Sequence, residues 1–286
     1  MHPDDAHISR CFVDTDNRVI DAEDGVLPVY SIAKTLTASL VIQAGIPLSH
    51  PVSRWFGDSL VPQGHEITIE HLLNHTSGLR DYGGDTEYHK AIYRRETPWS
   101  DEEFAARTLQ QPLLFKPGAG WAYSNPGYWL LKSILEMESG TEYDNLVNSQ
   151  IVQALNLQHT TVAEGVFMKD LPNYPAGWVW PGVILSSARD MATFMRSSLV
   201  APLMTAPVPV PVSHPDWQNP YYGYGVMIEP GVRVGHNGGG PGYSAACFHR
   251  LDTGVTGCIL MSSETDEDAA ASALFAELDS DRRRTP

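Results

Sequence analysis

The pattern of apolar and polar positions predicts strands at both ends of the chain and helices between them. Near the N-terminus, residues 7–13 and 17–22 have the pattern of two short strands. After residue 220, four segments with strand patterns alternate with glycine-rich turns, which predicts an antiparallel meander. Residues 268–278 predict a closing helix. One sheet that pairs the N-terminal with the C-terminal strands accounts for both groups most simply.

Helical patterns fill the middle of the chain. The segments that predict helices are 31–44, 67–79, 100–110, 126–140 and 186–199. Thr68 and Ser100 stand at expected N-cap positions. Gly78 and Gly140 predict the ends of the second and fourth of these helices.

These elements together predict an α+β fold, with an antiparallel sheet flanked by helices. The segment 201–215 predicts an extended loop, because its prolines exclude a helix. We expect a single domain over residues 1–286. Within it, a helical subdomain of residues 61–184 is inserted into a sheet subdomain formed by residues 1–60 and 185–286.

Composition and charge narrow the function classes. The 286 residues, 42% of them hydrophobic, suffice for the core of one large domain. No apolar run reaches about 18 residues, so no membrane span is expected. The net charge of −15 argues against nucleic acid or an anionic membrane as a partner. The start of the chain lacks the basic and apolar regions of a signal peptide, so we expect a cytoplasmic protein, with a mature fragment of an exported protein as the alternative.

Residue types that mark redox or metal chemistry are sparse. Cys11, Cys247 and Cys258 form no C-x-x-C motif and are expected to be buried free thiols. A bridge between Cys247 and Cys258 across a hairpin is the alternative. His71 and His75 lie four residues apart, as zinc ligands do, but the glutamate of H-E-x-x-H is absent and no third ligand is evident. We therefore predict neither a metal nor a cofactor.

The segment 30–45 contains the strongest candidate for chemistry. Its sequence, YSIAKTLTASLVIQAG, predicts a helix that is apolar nearly all round and therefore buried. Ser31 and Lys34 have the spacing S-x-x-K, which places both side chains on one face of a helix. A serine hydroxyl needs a neighbouring base to become a good nucleophile. Burial lowers the pKa of a lysine from about 10.4 toward that role, which explains a lysine in an apolar helix.

Two further motifs follow in a fixed order. Tyr-Ser-Asn at 123–125 precedes a helix that begins with proline, and His-Asn-Gly at 236–238 lies on a predicted strand among glycines. The order S-x-x-K, Y-x-N and [K/H]-x-G resembles that of the penicillin-recognising serine enzymes. The resemblance is closest to the branch that contains class C β-lactamases, D-alanyl-D-alanine carboxypeptidases, D-aminopeptidases and β-lactamase-like esterases. Flanking stretches such as FKPGAGWAYSNPGYWLL extend it over nearly the whole chain.

The resemblance implies the β-lactamase/DD-peptidase-like fold and a role for each motif residue. Ser31 would be the acylated nucleophile, and Lys34 would share or relay its proton. Tyr123 would act as the general base in acylation, as the acid to the leaving group and as the activator of the deacylating water, which requires its pKa to fall from about 10. Asn125 would bind the substrate amide and hold Lys34. The backbone N–H groups of Ser31 and Gly239 would form the oxyanion hole.

Other residues of the implied pocket bear on substrate preference. Gly238 would let its strand approach closely. His236 stands where many relatives have lysine; it would keep a hydrogen bond to the Tyr123 region but lose a permanent charge, which tilts the choice away from classical β-lactams. Trp178 and Trp180 are candidates for a wall around an acyl or aromatic group. Packing of their loop onto the helical subdomain is the alternative.

The predicted function is the hydrolysis of a small ester, amide or peptide through an acyl-enzyme on Ser31. The sequence leaves open whether the substrate is an ester, a D-amino peptide or a β-lactam, and it leaves the oligomeric state open. Two alternatives are an acyltransferase that uses the same acyl-enzyme and a non-catalytic sensor of the same fold. The complete set of motif residues favours an enzyme over a sensor.

Overall fold

The computed structural model describes residues 8–163, 176–211, 216–263 and 266–281. Its strands are β1 (Ile8–Val13), β2 (Val19–Glu23), β3 (Leu27–Pro28), β4 (Thr161–Val162), β5 (Ile184–Ser186), β6 (Val208–Pro209), β7 (Tyr221–Tyr222), β8 (Met227–Glu229), β9 (Arg233–Gly240), β10 (Tyr243–Arg250) and β11 (Thr256–Ser262). Its helices are α1 (Ala33–Gln43), α2 (Ile69–Leu73), α3 (Thr86–Tyr93), α4 (Asp101–Arg107), α5 (Asn125–Ser139), α6 (Tyr143–Val147), α7 (Ala188–Met195) and α8 (Ala269–Asp281). Within these ranges, no helix has the length and apolar character needed to cross a membrane.

Eight strands form one antiparallel sheet in the order β2-β1-β11-β10-β9-β8-β7-β6. β1 pairs with β11, which confirms that the N-terminal strands join the C-terminal meander. β9 pairs with β10 as far as Gly240, whereas its pairing with β8 reaches only to Gly235. Among the described strands, none pairs with the other edge of β9 over residues 236–240, and this edge borders the candidate site.

The alternation of side chains along the strands divides the core into two layers. Phe12 and Phe248 pack with Phe275 of α8 on one face of the sheet. The opposite face belongs to the main core, and a row of buried free thiols runs across three adjacent strands there, formed by Cys11, Cys258 and Cys247. The predicted burial of the cysteines as free thiols is confirmed.

Helix α1 forms the centre of the main core. Its residues from Ala33 to Val41 are all buried, as the nearly apolar pattern predicts. Helix α5, which packs against α1, has Pro126 in its first turn and ends at Gly140 with a left-handed φ of 63°. Thr68 caps α2 and Ser100 caps α4. These boundaries agree with the sequence predictions.

Helix α2 is shorter than predicted. It ends at Leu73 rather than at Gly78. The side chain of Asn74 accepts hydrogen bonds from the backbone N–H and the hydroxyl of Thr76, and His75 takes a left-handed φ of 62°. This local turn competes with the helix and ends it.

Residues 201–211 do not form a uniform extended loop as predicted, and residues 212–215 of the predicted loop lie outside the described residues. Ala201–Met204 forms a 3-10 turn, and β6 is the edge strand of the large sheet. Pro202 is compatible with the first turn of a helix, and Pro209 is compatible with an edge strand, because neither position requires an N–H donor.

Candidate active site

Ser31 lies in a tight turn directly before α1. Tyr30–Ile32 form a 3-10 turn, and Tyr30 has a left-handed φ of 43°, which is uncommon for a bulky residue. The Tyr30 hydroxyl donates to the Pro241 carbonyl at 2.9 Å, at the end of the β9–β10 hairpin. This bond ties the turn to the sheet and holds Ser31 beside the unpaired edge of β9.

Lys34 reaches back to Ser31, as the S-x-x-K spacing predicts. Its Nζ atom lies 3.2 Å from Ser31 Oγ and donates to Asn125 Oδ1 at 2.7 Å. The residue is only 3% exposed. Burial lowers the pKa of Lys34 to about 7, and the attraction of the Asp81 carboxylate opposes this effect. A substantial fraction of the amine is therefore neutral near pH 7.

Tyr123 is the second residue that contacts the Ser31 hydroxyl. Its phenol donates to Ser31 Oγ at 2.7 Å, and Lys34 Nζ lies 4.9 Å from the centre of its ring. The predicted fall in the pKa of this tyrosine is wrong. Burial raises the pKa of Tyr123 above its ordinary value, and the hydrogen bond to Ser31 offsets only part of the rise. Tyr123 is therefore a neutral phenol near pH 7.

Asn125 begins α5 and links Lys34 to a carboxylate. Ser124 caps this helix by accepting from the backbone N–H of Gly127 at 3.2 Å, which fixes where Asn125 stands. While Asn125 Oδ1 accepts from Lys34, Asn125 Nδ2 donates to Asp81 Oδ2 at 3.3 Å. The expected hydrogen bond between Asn125 and Lys34 is present, and the amide NH₂ group of Asn125 lies against Asp81.

His236 is a buried residue of β9 and is uncharged near neutral pH. Burial is the largest cause that lowers the pKa of His236, to about 3. Its Nε2 atom hydrogen-bonds the Tyr222 hydroxyl at 2.9 Å, and its Nδ1 atom contacts the Asn237 carbonyl. The prediction that His236 hydrogen-bonds the Tyr123 region is therefore corrected. His236 bonds Tyr222 instead, and the rings of Tyr222 and His75 lie between His236 and Tyr123.

His75 joins the site although the sequence did not assign it there. It is fully buried, with its ring centroid 4.4 Å from that of Tyr123 and 4.6 Å from that of Tyr222. Its Nδ1 atom accepts from the Ser124 backbone N–H at 3.2 Å, while His71 Nδ1 accepts a capping bond at the start of α2. No periodicity marks His75, because it lies in the irregular turn after α2.

Gly238 brings β9 against the turn that carries Ser31. A Cβ atom at this position would lie 2.6 Å from the Val29 carbonyl oxygen and 2.7 Å from the Ser31 backbone N. Any larger residue would therefore push the strand away. Gly239 follows directly and faces the other side of the strand, where a Cβ atom would lie 2.4 Å from Cβ of Glu267.

A cavity of about 630 Å³ opens over Ser31, and Val179 and Pro181 contribute to its lining. The prediction that Trp178 and Trp180 form a wall of this pocket is wrong. Both indoles are buried, Trp178 completely, because they turn inward while the residues between and beside them face the cavity. They pack in an aromatic cluster with Tyr82, Tyr88, Trp99 and Phe104.

Comparison with known proteins places these features in a family. Residues 16–280 match the family model described as Beta-lactamase. Penicillin-binding protein 4* of Bacillus subtilis (strain 168) is 26% identical over 292 residues, which cover 86% of this chain and 62% of that protein. Esterase EstB of Burkholderia gladioli is 29% identical over 150 residues, which cover 48% of this chain and 38% of the esterase. The matched regions thus span less than two thirds of the length of these curated relatives.

A solved structure supports the same relationship. The D-stereospecific amidohydrolase from Streptomyces sp. superimposes with a TM-score of 0.76 at 25% identity, over 94% of this chain and 93% of that chain. This likeness confirms the predicted α+β fold. Because the family model covers nearly the whole sequence, the chain belongs to the beta-lactamase family.

Proposed function

We propose that this chain is a serine hydrolase that cleaves an ester or an amide through a covalent acyl-enzyme on Ser31. One observation carries the proposal: Lys34 Nζ at 3.2 Å and the Tyr123 hydroxyl at 2.7 Å both contact Ser31 Oγ beside a cavity. A buried base and a second proton-transfer group on one hydroxyl are what nucleophilic catalysis requires. A sensor that only binds its ligand needs neither, so the arrangement favours an enzyme.

Lys34 is the base of the acylation step. With a pKa of about 7, its neutral amine accepts the hydroxyl proton as Ser31 Oγ attacks the carbonyl carbon of the substrate. The new C–O bond forms while the carbonyl π electrons move to oxygen. The backbone N–H groups of Ser31 and Gly239 would hold this oxyanion, and Asn125 Oδ1 accepts from the lysine ammonium that has formed.

Tyr123 is the proton donor to the leaving group. Because its pKa is raised, the phenol keeps its proton until the scissile bond breaks and then passes it to the departing alcohol or amine. The Lys34 ammonium returns a proton to Tyr123, directly or through a water molecule. In deacylation a water molecule attacks the acyl carbon while the neutral amine of Lys34 takes its proton, directly or through Tyr123. The bond between the acyl carbon and Ser31 Oγ then breaks, and the same proton passes to Ser31 Oγ.

Charge in the cavity favours a substrate without a carboxylate beside the scissile bond. Among the described residues that line it, Lys34 is the only lysine or arginine, His236 is uncharged, and His89 Nε2 hydrogen-bonds the Gly83 carbonyl at 2.6 Å. The carboxylates that line the cavity belong to Asp81, Glu267 and Asp268. A substrate carboxylate of the kind that β-lactams carry would be desolvated there without a free cationic partner, which is costly. We therefore propose a short-chain or aryl ester, or an uncharged amide, as the substrate class.

Labelling with a fluorophosphonate tests the proposal. We expect one adduct, which peptide mass mapping places on Ser31, and we expect Ser31→Ala to abolish both labelling and hydrolysis of p-nitrophenyl butyrate. Ser133→Ala is the matched control, because Ser133 Oγ donates to a carbonyl of its own helix at 3.0 Å, and it should retain both. A label on another serine, or hydrolysis that survives in Ser31→Ala, would contradict the assignment.

A further inference from the structure

The carboxylate of Asp81 contacts Asn125 at two points. Asp81 Oδ1 accepts from the Asn125 backbone N–H at 2.8 Å, and Asp81 Oδ2 accepts from Asn125 Nδ2 at 3.3 Å. Asp81 Oδ2 also accepts from the Gly83 backbone N–H at 3.1 Å, so a local turn holds the carboxylate in place. Asp81 lies in the loop between α2 and α3, outside the three sequence motifs, and lines the cavity over Ser31.

Asp81 determines which way the side-chain amide of Asn125 points. A carboxylate can only accept hydrogen bonds. It therefore selects the NH₂ end of the amide and leaves Asn125 Oδ1 for Lys34 Nζ, at 2.7 Å. A reversed amide would place its oxygen against the carboxylate and its NH₂ group against the lysine ammonium, so both hydrogen bonds would be lost.

We propose that Asp81 is a positioning residue that fixes the Asn125 amide and, through it, the Lys34 amine for proton transfer at Ser31. The inference rests on the proposed function, because that function makes Lys34 the base. The charge of Asp81 also acts on Lys34. The Asp81 carboxylate attracts the lysine ammonium and offsets part of the lowering of the Lys34 pKa by burial.

Other titratable groups around Lys34 do not share this role. The rings near its amine belong to Tyr123, Tyr128, His75 and His236. Burial raises the pKa of both phenols and lowers the pKa of both imidazoles. All four rings are therefore neutral near pH 7. Asp81 is thus the charged group that acts on Lys34 in the described part of the chain.

The pH dependence of fluorophosphonate labelling at Ser31 tests the inference without a known substrate. Asp81→Asn removes the charge and one acceptor oxygen. We expect the midpoint of the rise in labelling rate to fall by about one pH unit from a wild-type value of about 7. We also expect the plateau rate above the midpoint to fall by about tenfold, because the amine is misplaced. A lowered rate with an unmoved midpoint would indicate a merely structural role and would overturn the inference.

Asp81→Glu keeps the charge but lengthens the side chain, and it decides the matter if Asp81→Asn does not fold. We expect its midpoint to stay near that of the wild type while its plateau rate falls. A plateau equal to the wild-type rate would contradict the role of the hydrogen bonds to Asn125.

Glu267→Gln is the matched control for charge. It removes a cavity carboxylate beside Gly239 rather than beside Asn125, so its midpoint should move less than that of Asp81→Asn. Equal shifts in the two variants would overturn a specific role for Asp81. Failure of the wild type to label at Ser31 would reject the proposed function itself, whereas normal labelling with an unmoved midpoint in Asp81→Asn would reject only this inference.

Discussion

Lys34 and His236 are both buried basic residues of one site, yet burial leaves them with different charge states near neutral pH. Burial is the largest cause of both shifts, and it lowers the pKa of Lys34 to about 7 and that of His236 to about 3. The two side chains start from ordinary pKa values of about 10.4 and about 6.5. The same environment therefore leaves the lysine able to gain or lose a proton near neutral pH and leaves the histidine uncharged.

The comparison divides the site into two functional sides. On the side of α1 and α5, Lys34, Asn125 and Asp81 form a chain of charge-assisted hydrogen bonds that ends at Ser31. On the side of β9, His236 makes hydrogen bonds with a phenol and a backbone carbonyl. In the proposed mechanism, proton transfer occurs on the first side, and the second side supplies shape and neutral hydrogen bonding.

Removal of the lysine amine should have the largest effect on activity. We expect Lys34→Ala to lower kcat for p-nitrophenyl butyrate by about two to four orders of magnitude, because the base is lost. Lys90→Ala is the matched control, since Lys90 is an exposed residue that pairs with Glu87 at 2.7 Å, and it should keep wild-type kcat. Wild-type turnover in Lys34→Ala would disprove its role as the base.

Tyr123→Phe should have a smaller effect, because it removes a proton donor and leaves the base. We expect kcat to fall by about two orders of magnitude. Combined with Lys34→Ala, the loss should be far less than the product of the two single losses, since both groups act on one oxygen atom. Tyr93→Phe changes a residue that is 89% exposed and serves as the control. Multiplicative losses in the double variant would show that the two groups act separately.

His236→Lys tests the consequence of having an uncharged residue at position 236. A lysine at this position would offer a cation to a substrate carboxylate. We expect kcat/KM for nitrocefin to rise by about tenfold, the worth of one charge-assisted hydrogen bond, while that for p-nitrophenyl butyrate does not rise. His65→Lys adds a cation at an exposed position and should leave both values unchanged. No gain toward nitrocefin, or a wild type that prefers nitrocefin, would refute the argument from charge.

The smallest effect on catalysis is expected at Trp178. Because Trp178 is fully buried in the aromatic cluster, Trp178→Phe should change kcat/KM for p-nitrophenyl esters by less than about twofold while it lowers the free energy of unfolding by about 1–3 kcal/mol. Val179→Ala, which alters the cavity lining, should change the dependence of kcat/KM on acyl chain length more than Trp178→Phe does. A larger effect of Trp178→Phe than of Val179→Ala would indicate that Trp178 lines the pocket.

Local sequence signals predicted the elements and the motif residues of this site. The S-x-x-K spacing predicts that Ser31 and Lys34 lie on one face, one helical turn apart. Strand patterns that alternate with glycine-rich turns predicted the antiparallel meander. The sequence did not predict that Asp81 and His75 belong to the site. Both lie in irregular loops, where no periodic pattern indicates which residues are in contact. The direction of the Tyr123 pKa shift and the inward turn of Trp178 depend on burial by distant segments, which a single sequence does not display.

The dependence of wild-type kcat/KM on pH, measured with p-nitrophenyl butyrate, tests the central claim most directly. In the proposed mechanism the neutral form of Lys34 is the active form, and its fraction falls as pH drops below the pKa. The account therefore predicts that kcat/KM rises with pH, reaches half its maximum at about 7 and levels off above that. His236, with a pKa of about 3, adds no second transition near neutrality. A profile that is flat through neutral pH, or one that still rises toward the ordinary pKa of lysine, would contradict the account.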